Sequence, residues 1–229
     1  MCALLNAAFC QCDQEQCNPH RFYLGLEFNK ISIHENIDGI QVSGSNFFSG
    51  LHFGYEYIKP CSLYAGIDLF GVSSNHDFKG SVAWQKTDKG FGDIEFRLGY
   101  SFFSCPNLLA SPFCGIGVYG IVPVDHYNDQ GLKEDLPYVV GGIKFRYGLS
   151  NAFEIGLNGK VLRTFNTEQR FKLADETIKS YNNFWGGEIG VPLTWYIGCS
   201  KRWDFQFEPY YLRIANNIYG LRTLFGYHF

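Results

Sequence analysis

Residues 21–29 read RFYLGLEFN, and their alternation decides the fold. Phe22, Leu24, Leu26 and Phe28 fall on one side of an extended chain, while Arg21, Tyr23, Gly25 and Glu27 fall on the other. The same two-residue period returns along the sequence. Phe47, Leu51, Phe53, Tyr55 and Tyr57 oppose Gly50, His52, Gly54 and Glu56, and Leu63, Ala65, Ile67 and Leu69 oppose Tyr64, Gly66 and Asp68. Ile94, Phe96, Leu98, Tyr100 and Phe102 oppose Asp93, Glu95, Arg97, Gly99 and Ser101. A weaker segment covers Cys114–Val122. Ile143, Phe145 and Tyr147 alternate with Gly142, Lys144 and Arg146, and Phe153, Ile155, Leu157 and Val161 with Glu154, Gly156, Asn158 and Lys160. Ile189, Val191, Leu193, Trp195 and Ile197 oppose Glu188 and Thr194, and Trp203, Phe205 and Phe207 oppose Asp204, Gln206 and Glu208. The last run sets Tyr219, Leu221, Phe225, Tyr227 and Phe229 against Gly220, Arg222, Gly226 and His228. That makes about ten strands, or eight if one hairpin belongs to a loop.

Composition fits strands better than helices. Of 229 residues, 22 are Phe, 15 Tyr and 26 Gly, with a single Met. Mean hydropathy is only -0.12 despite this aromatic content, so apolar and polar residues are interleaved rather than blocked. No apolar run approaches the roughly 20 residues of a transmembrane helix, whereas a barrel strand crosses with about 9–11 tilted residues. Net charge is -3, with no basic stripe, which argues against a nucleic-acid partner.

Connections sort by parity. Short links follow the second, fourth, sixth and eighth strands (Ile58–Ser62, Ser104–Ser111, Gly148–Asn151, Gly198–Arg202). Long polar stretches follow the first, third, fifth and seventh (Lys30–Ser45, Ser73–Gly90, Pro123–Leu136, Thr164–Gly186). Short turns at one end and long loops at the other are the pattern of a membrane barrel. Aromatics gather at the short-turn end, among them Phe22, Tyr57, Tyr100, Phe102, Tyr147, Phe153, Trp195, Trp203, Tyr227 and Phe229, as an interfacial girdle would require. The expectation is all-β: an antiparallel up-and-down transmembrane β-barrel over 21–229. A signal remnant or periplasmic segment precedes it over 1–20. Pro192 and Pro209 fall within predicted strands and call for a bulge or an early strand end. Periodicity alone leaves a soluble ligand-binding barrel with the faces inverted as the alternative.

In a membrane barrel the polar face lines the lumen. Its ionisable members are Glu27, His52, Glu56, Asp68, Asp93, Glu95, Arg97, Lys144, Arg146, Glu154, Lys160, Glu188, Asp204, Glu208 and Arg222. Mixed signs on adjacent strands must pair or hold water, because an unpaired buried charge is costly. Two outcomes are open: a salt-bridged plug or a narrow porin or transport channel, with the plug favoured in a barrel this small.

Other motifs give way to plainer readings. Gly115, Gly117 and Gly120 match the letters of a dinucleotide fingerprint but lie in a strand, with no helix to receive a pyrophosphate. Cys10, Cys12, Cys17 and His20 lack paired zinc spacing, so no metal or cofactor is expected. His76–Asp77 and Asp125–His126 sit in long loops, where adjacent residues on an extended chain point apart. No nucleophile, base and orienting group come together, and no catalytic residue is assigned. The long loops, rich in Asn, Asp, Lys and Ser, suit surface recognition of a ligand the sequence does not identify.

The chain closes with LRTLFGYHF. With Leu221, Phe225, Tyr227 and Phe229 on one face, it resembles the C-terminal β-signal of bacterial outer-membrane proteins. That resemblance implies contact with outer-membrane lipid and with the barrel assembly machinery. The ten-stranded omptin proteases are the enzymatic barrels nearest in strand number. A second resemblance lies in the 8 cysteines, unusual for a small barrel. Strand counting puts Cys61, Cys105 and Cys199 in short turns and Cys114 near the foot of a strand, facing the oxidising periplasm. This resembles the disulfide-linked, cysteine-rich envelope of chlamydiae and implies disulfide-linked envelope proteins as partners.

Overall fold

The computed structural model describes residues 18–37, 40–74, 89–105, 107–123, 131–165, 167–173, 176–180, 183–198, 201–214 and 216–229. The strands are β1 (His20–Ile37), β2 (Ile40–Ile58), β3 (Ser62–Ser74), β4 (Lys89–Cys105), β5 (Leu108–Pro123), β6 (Gly131–Gly148) and β7 (Phe153–Thr164). There follow β8 (Glu168–Leu173), β9 (Glu176–Ser180), β10 (Trp185–Gly190), β11 (Leu193–Ile197), β12 (Trp203–Arg213) and β13 (Asn217–His228). Every pairing is antiparallel, and β1 to β7 pair in chain order. The sheet closes when β13 pairs with β1, from Arg21 opposite His228 to Ser32 opposite Asn217. β10 and β11 occupy one stave between β7 and β12, so the wall has ten staves.

Pro192 explains the divided stave. Lacking an N–H, it ends β10 early, and the ladder resumes at Leu193. Its carbonyl still accepts from the Gly156 N–H at 2.7 Å, so the gap stays closed. Pro209 stays within β12, and its carbonyl accepts from the Val191 N–H at 3.0 Å.

Closure removes the edges of the ten-stave wall and orients its two faces. Phe22, Leu24, Leu26, Phe28, Leu51, Phe96, Leu98 and Ile116 are exposed on the outer wall, each with between 44 and 59% of its surface accessible. A soluble barrel would have buried these side chains and exposed the charges. Here Glu27 and Asp204 are wholly buried instead. The apolar face is therefore the lipid face. At the short-turn end, Trp203 stacks on Phe225 and packs against Tyr227, Trp195 packs against Phe153, and His20 stacks on Phe229 across the closing seam.

Three long links, Lys30–Ser45, Pro123–Leu136 and Thr164–Gly186, differ from the polar loops expected at their positions. β1 and β2 continue as one paired hairpin to Ile37 opposite Ile40, and β6 extends to Gly131, where it pairs with the β8–β9 hairpin. Pairing continues past the lipid belt because the extra residues satisfy their own backbone groups.

Candidate functional site

The lumen is built by the inward half of each alternating strand. It fills in two tiers.

The lower tier, toward the short turns, is ionic. Arg21 grips Asp204 through two bonds, Nε to Oδ2 at 2.8 Å and Nη2 to Oδ1 at 2.7 Å, and His228 Nε2 lies 2.8 Å from the same carboxylate. Glu56 is the centre of the next cluster. It accepts from Lys144, from Arg146 Nη2 at 2.7 Å and from the Tyr64 hydroxyl at 3.2 Å, with Arg21 Nη1 at 3.7 Å and Arg97 Nη2 at 4.0 Å. Asp68 receives Arg97 and the Tyr23 hydroxyl. His52 bridges two carboxylates, with Nδ1 2.6 Å from Glu27 and Nε2 3.1 Å from Asp68.

Across the barrel, Arg222 donates to both oxygens of Glu188 at 2.8 and 3.3 Å, lies 3.7 Å from Glu27 and stacks 3.8 Å over the Tyr210 ring. Lys160 reaches Glu95 at 2.8 Å and Glu188 at 3.3 Å. The Tyr138 hydroxyl sits 2.8–2.9 Å from Asp93 and 2.8 Å from Glu95. Glu208 accepts from Asn158 and Gln206, and Glu154 from Tyr196. Thus all fifteen ionisable side chains named from the polar face meet in one connected lumen.

Six further lumenal partners join them: Arg21, His228, Tyr23, Tyr64, Tyr138 and Tyr210. Arg21 and His228 share that face, but they lie at the ends of the chain's first and last strands, where only closure brings them together. The tyrosines were hidden by their chemistry. Tyr23, Tyr64, Tyr138 and Tyr210 are lumenal hydrogen-bond donors, whereas Tyr57, Tyr100 and Tyr147 face outward. A glycine on a neighbouring strand is the signal that separates them. A Cβ on Gly117 would come within 2.4 Å of the Tyr138 ring, and one on Gly220 within 2.2 Å of Tyr210. The fingerprint-like glycines of β5 thus include one, Gly117, that makes room for a lumen ring.

The upper tier was not anticipated. Ile31, Phe48, Phe70, Val72, Phe91, Tyr119, Leu136, Leu162, Leu212 and Ile218 form a buried cluster toward the long-hairpin end. Phe91 sits at its heart, 5.1 Å from Phe48 and 5.7 Å from both Phe70 and Tyr119 between ring centroids. The ionic tier retains a cavity of about 50 Å³, room for a few water molecules at most. A wider vestibule of about 450 Å³ opens below it, lined by Arg21, Arg146, Tyr196, Lys201 and His228.

The cysteines divide. Cys61, at a positive φ of 55° in the β2–β3 turn, is disulfide-bonded. Cys105 ends β4 at the short-turn rim as an exposed free thiol. Cys114 corrects the expectation of a periplasmic foot. It lies well inside β5, opposite Leu98 and Gly141, and its free thiol points into the lipid face. Turn Ser104–Ser111 was read too long, and its shortening raises Cys114 into the belt. Cys2, Cys10, Cys12, Cys17 and Cys199 lie outside the described residues, as do His76–Asp77 and Asp125–His126. Leu221, Phe225, Tyr227 and Phe229 lie along the outward side of β13 and the residue after it, where β13 is held between β12 and β1.

No protein-family model matches the chain, and no characterised protein matches it by sequence. Similarity appears at the level of fold. The outer membrane protease OmpT from Escherichia coli aligns with a TM-score of 0.56 at 9% identity, covering 92% of this chain and 96% of its own. An outer membrane channel from Pseudomonas putida aligns at 0.51 and 7% identity, covering 96% and 99%. The translocator domain of the autotransporter NalP from Neisseria meningitidis aligns at 0.50 and 11% identity, covering 100% and 95%. These matches share the closed-barrel fold of outer-membrane proteins, and the exposed apolar belt makes this chain's strands membrane-spanning.

Proposed function

We propose that this barrel is a closed, non-enzymatic scaffold of the outer membrane that carries its long hairpins to the cell surface and joins envelope neighbours through its periplasmic rim. The observation that carries this reading is the doubly filled lumen, with an ion-paired tier beneath an apolar one and only about 50 Å³ of space in the ionic tier. A conducting path needs a continuous hydrated lumen, and small barrels fill theirs with side chains. Paired hairpins that project beyond the belt give rigid supports for surface recognition by residues at their tips. Insertion would depend on the assembly machinery reading the outward aromatics of β13.

Reconstitution in planar bilayers tests the closed state. The full chain is expected to show no steady unitary conductance, and regular open-channel steps would sink this reading in favour of a narrow channel. The rim linkage rests on Cys105. A Cys105→Ser variant is expected to lose higher bands on a non-reducing gel of envelope fractions, while Cys114→Ser keeps them because its thiol faces lipid. A ladder unchanged by Cys105→Ser removes the linkage through this residue.

A further inference from the structure

The described outward faces of β7, β10, β11, β12, β13 and β1 carry three charged side chains, Lys30, Arg163 and Arg213, and all are basic and exposed. On the other half of the wall, β2 to β6, Asp135 is the one charged outward side chain among the described residues. The three cations also share a height. Each stands ten residues along from the residue that opens its strand at the short-turn end: His20 for Lys30, Phe153 for Arg163 and Trp203 for Arg213. At about 3.3 Å per residue and a tilt of about 40°, ten residues rise about 25 Å. That is the thickness of the apolar belt, so the cations sit where the outer leaflet's headgroups begin.

Their lateral spacing follows from the register. Arg163 is opposite Trp185, Arg213 opposite Gly187 and Asn217, and Asn217 opposite Ser32. Each neighbouring pair of cations is thus two strands and two residues apart, about 12 Å between Cβ atoms. Aromatic rings fill the intervals. Arg163 lies 5.1 Å over the Trp185 ring, and Tyr211 and Tyr219 pack 5.0 Å apart between Arg213 and Lys30. None of the three cations forms an ion pair with a described residue.

We propose that this wall is a docking site for the phosphorylated headgroup of an outer-leaflet glycolipid. Acyl chains would run down the apolar belt below, the sugar rings would lie on Trp185 and the tyrosines, and the phosphates would reach the cations. Charge complementarity at one height and on one side selects a membrane lipid over a soluble anion, since nothing encloses the site and the hydrocarbon belt supplies the second contact. The proposal depends on the membrane orientation read above.

The test titrates lipid A bearing both phosphates into the refolded full chain in zwitterionic micelles, following Trp185 fluorescence. A saturable change is expected, absent in Trp185→Phe. The triple variant Lys30→Gln, Arg163→Gln, Arg213→Gln should bind roughly a hundredfold more weakly, at about fivefold per cation beside an anionic lipid surface. Dephosphorylated lipid A should bind as weakly to the parent, and inorganic phosphate should not compete. Equal binding by parent and triple variant, equal binding of the dephosphorylated lipid, or full competition by inorganic phosphate overturns the site. Heat-dependent gel mobility is read on both proteins. Its loss in the parent would indict the membrane barrel itself, whereas its retention with failed binding indicts only this wall.

Discussion

Replacing Glu56 with glutamine lowers the unfolding free energy of the barrel by about 3–5 kcal/mol, the usual cost of breaking a buried ion pair from one side. Glu56 is 2% exposed and holds Lys144 and Arg146 directly, with Arg21 and Arg97 close by. Arg21 keeps Asp204, and Arg97 keeps Asp68. Lys144 has no second carboxylate within ion-pair distance among the described residues, so its charge is the one stranded. The cost therefore comes chiefly from an uncompensated ammonium in a site with little water. This makes a second outcome predictable. Adding Lys144→Met to Glu56→Gln removes the stranded charge and should recover part of the loss, because removing both partners costs less than removing one. Urea unfolding in lipid vesicles measures both steps. A Glu56→Gln variant within about 0.5 kcal/mol of the parent would mean that water reaches the cluster freely and that the lumen is no plug.

Legibility in the sequence tracked how local each signal was. The outer wall was readable because lipid contact demands an apolar side chain at every second residue, and RFYLGLEFN states that demand within nine positions. Ten staves and their closure followed from counting such runs and sorting their connections. Which acid meets which base was not readable, because Arg21 and Asp204 stand 183 residues apart in sequence and are joined only by the closing seam. The apolar tier was missed for a different reason. Toward the long-hairpin end, Ile31, Phe70 and Val72 continue the inward parity of Glu27, Asp68 and Gly66, so an apolar residue appears on the face that had been polar. A period-two pattern records alternation, and it does not announce a change in what the inner face is made of. Cys114 failed by a shift in turn length alone: Leu108 and Leu109 belong to β5, not to a loop, which moves the thiol from rim to belt.

Leu26→Arg tests the orientation of the two faces. Leu26 is 49% exposed on β1, midway between Phe22 in the lower girdle and Lys30 at the upper interface, and it faces Leu51 and Thr223 on the adjacent strands. An arginine there stands at the midplane of the hydrocarbon, too far from either interface for its head to reach water easily. The expected loss is about 2–4 kcal/mol in lipid vesicles, read as a fall in the urea midpoint. Depth sets the size of the effect. Phe28→Arg, one step nearer the interface on the same face, should lose less, and Ser32→Arg, beyond Lys30, should lose about 0–1 kcal/mol. A soluble barrel gives no such gradient, since an exposed leucine replaced by arginine changes its stability by about 0.5 kcal/mol or less at any height. Three similar small changes would therefore remove the lipid belt. A graded series would fix the membrane boundary at Lys30, the level that Arg163 and Arg213 share.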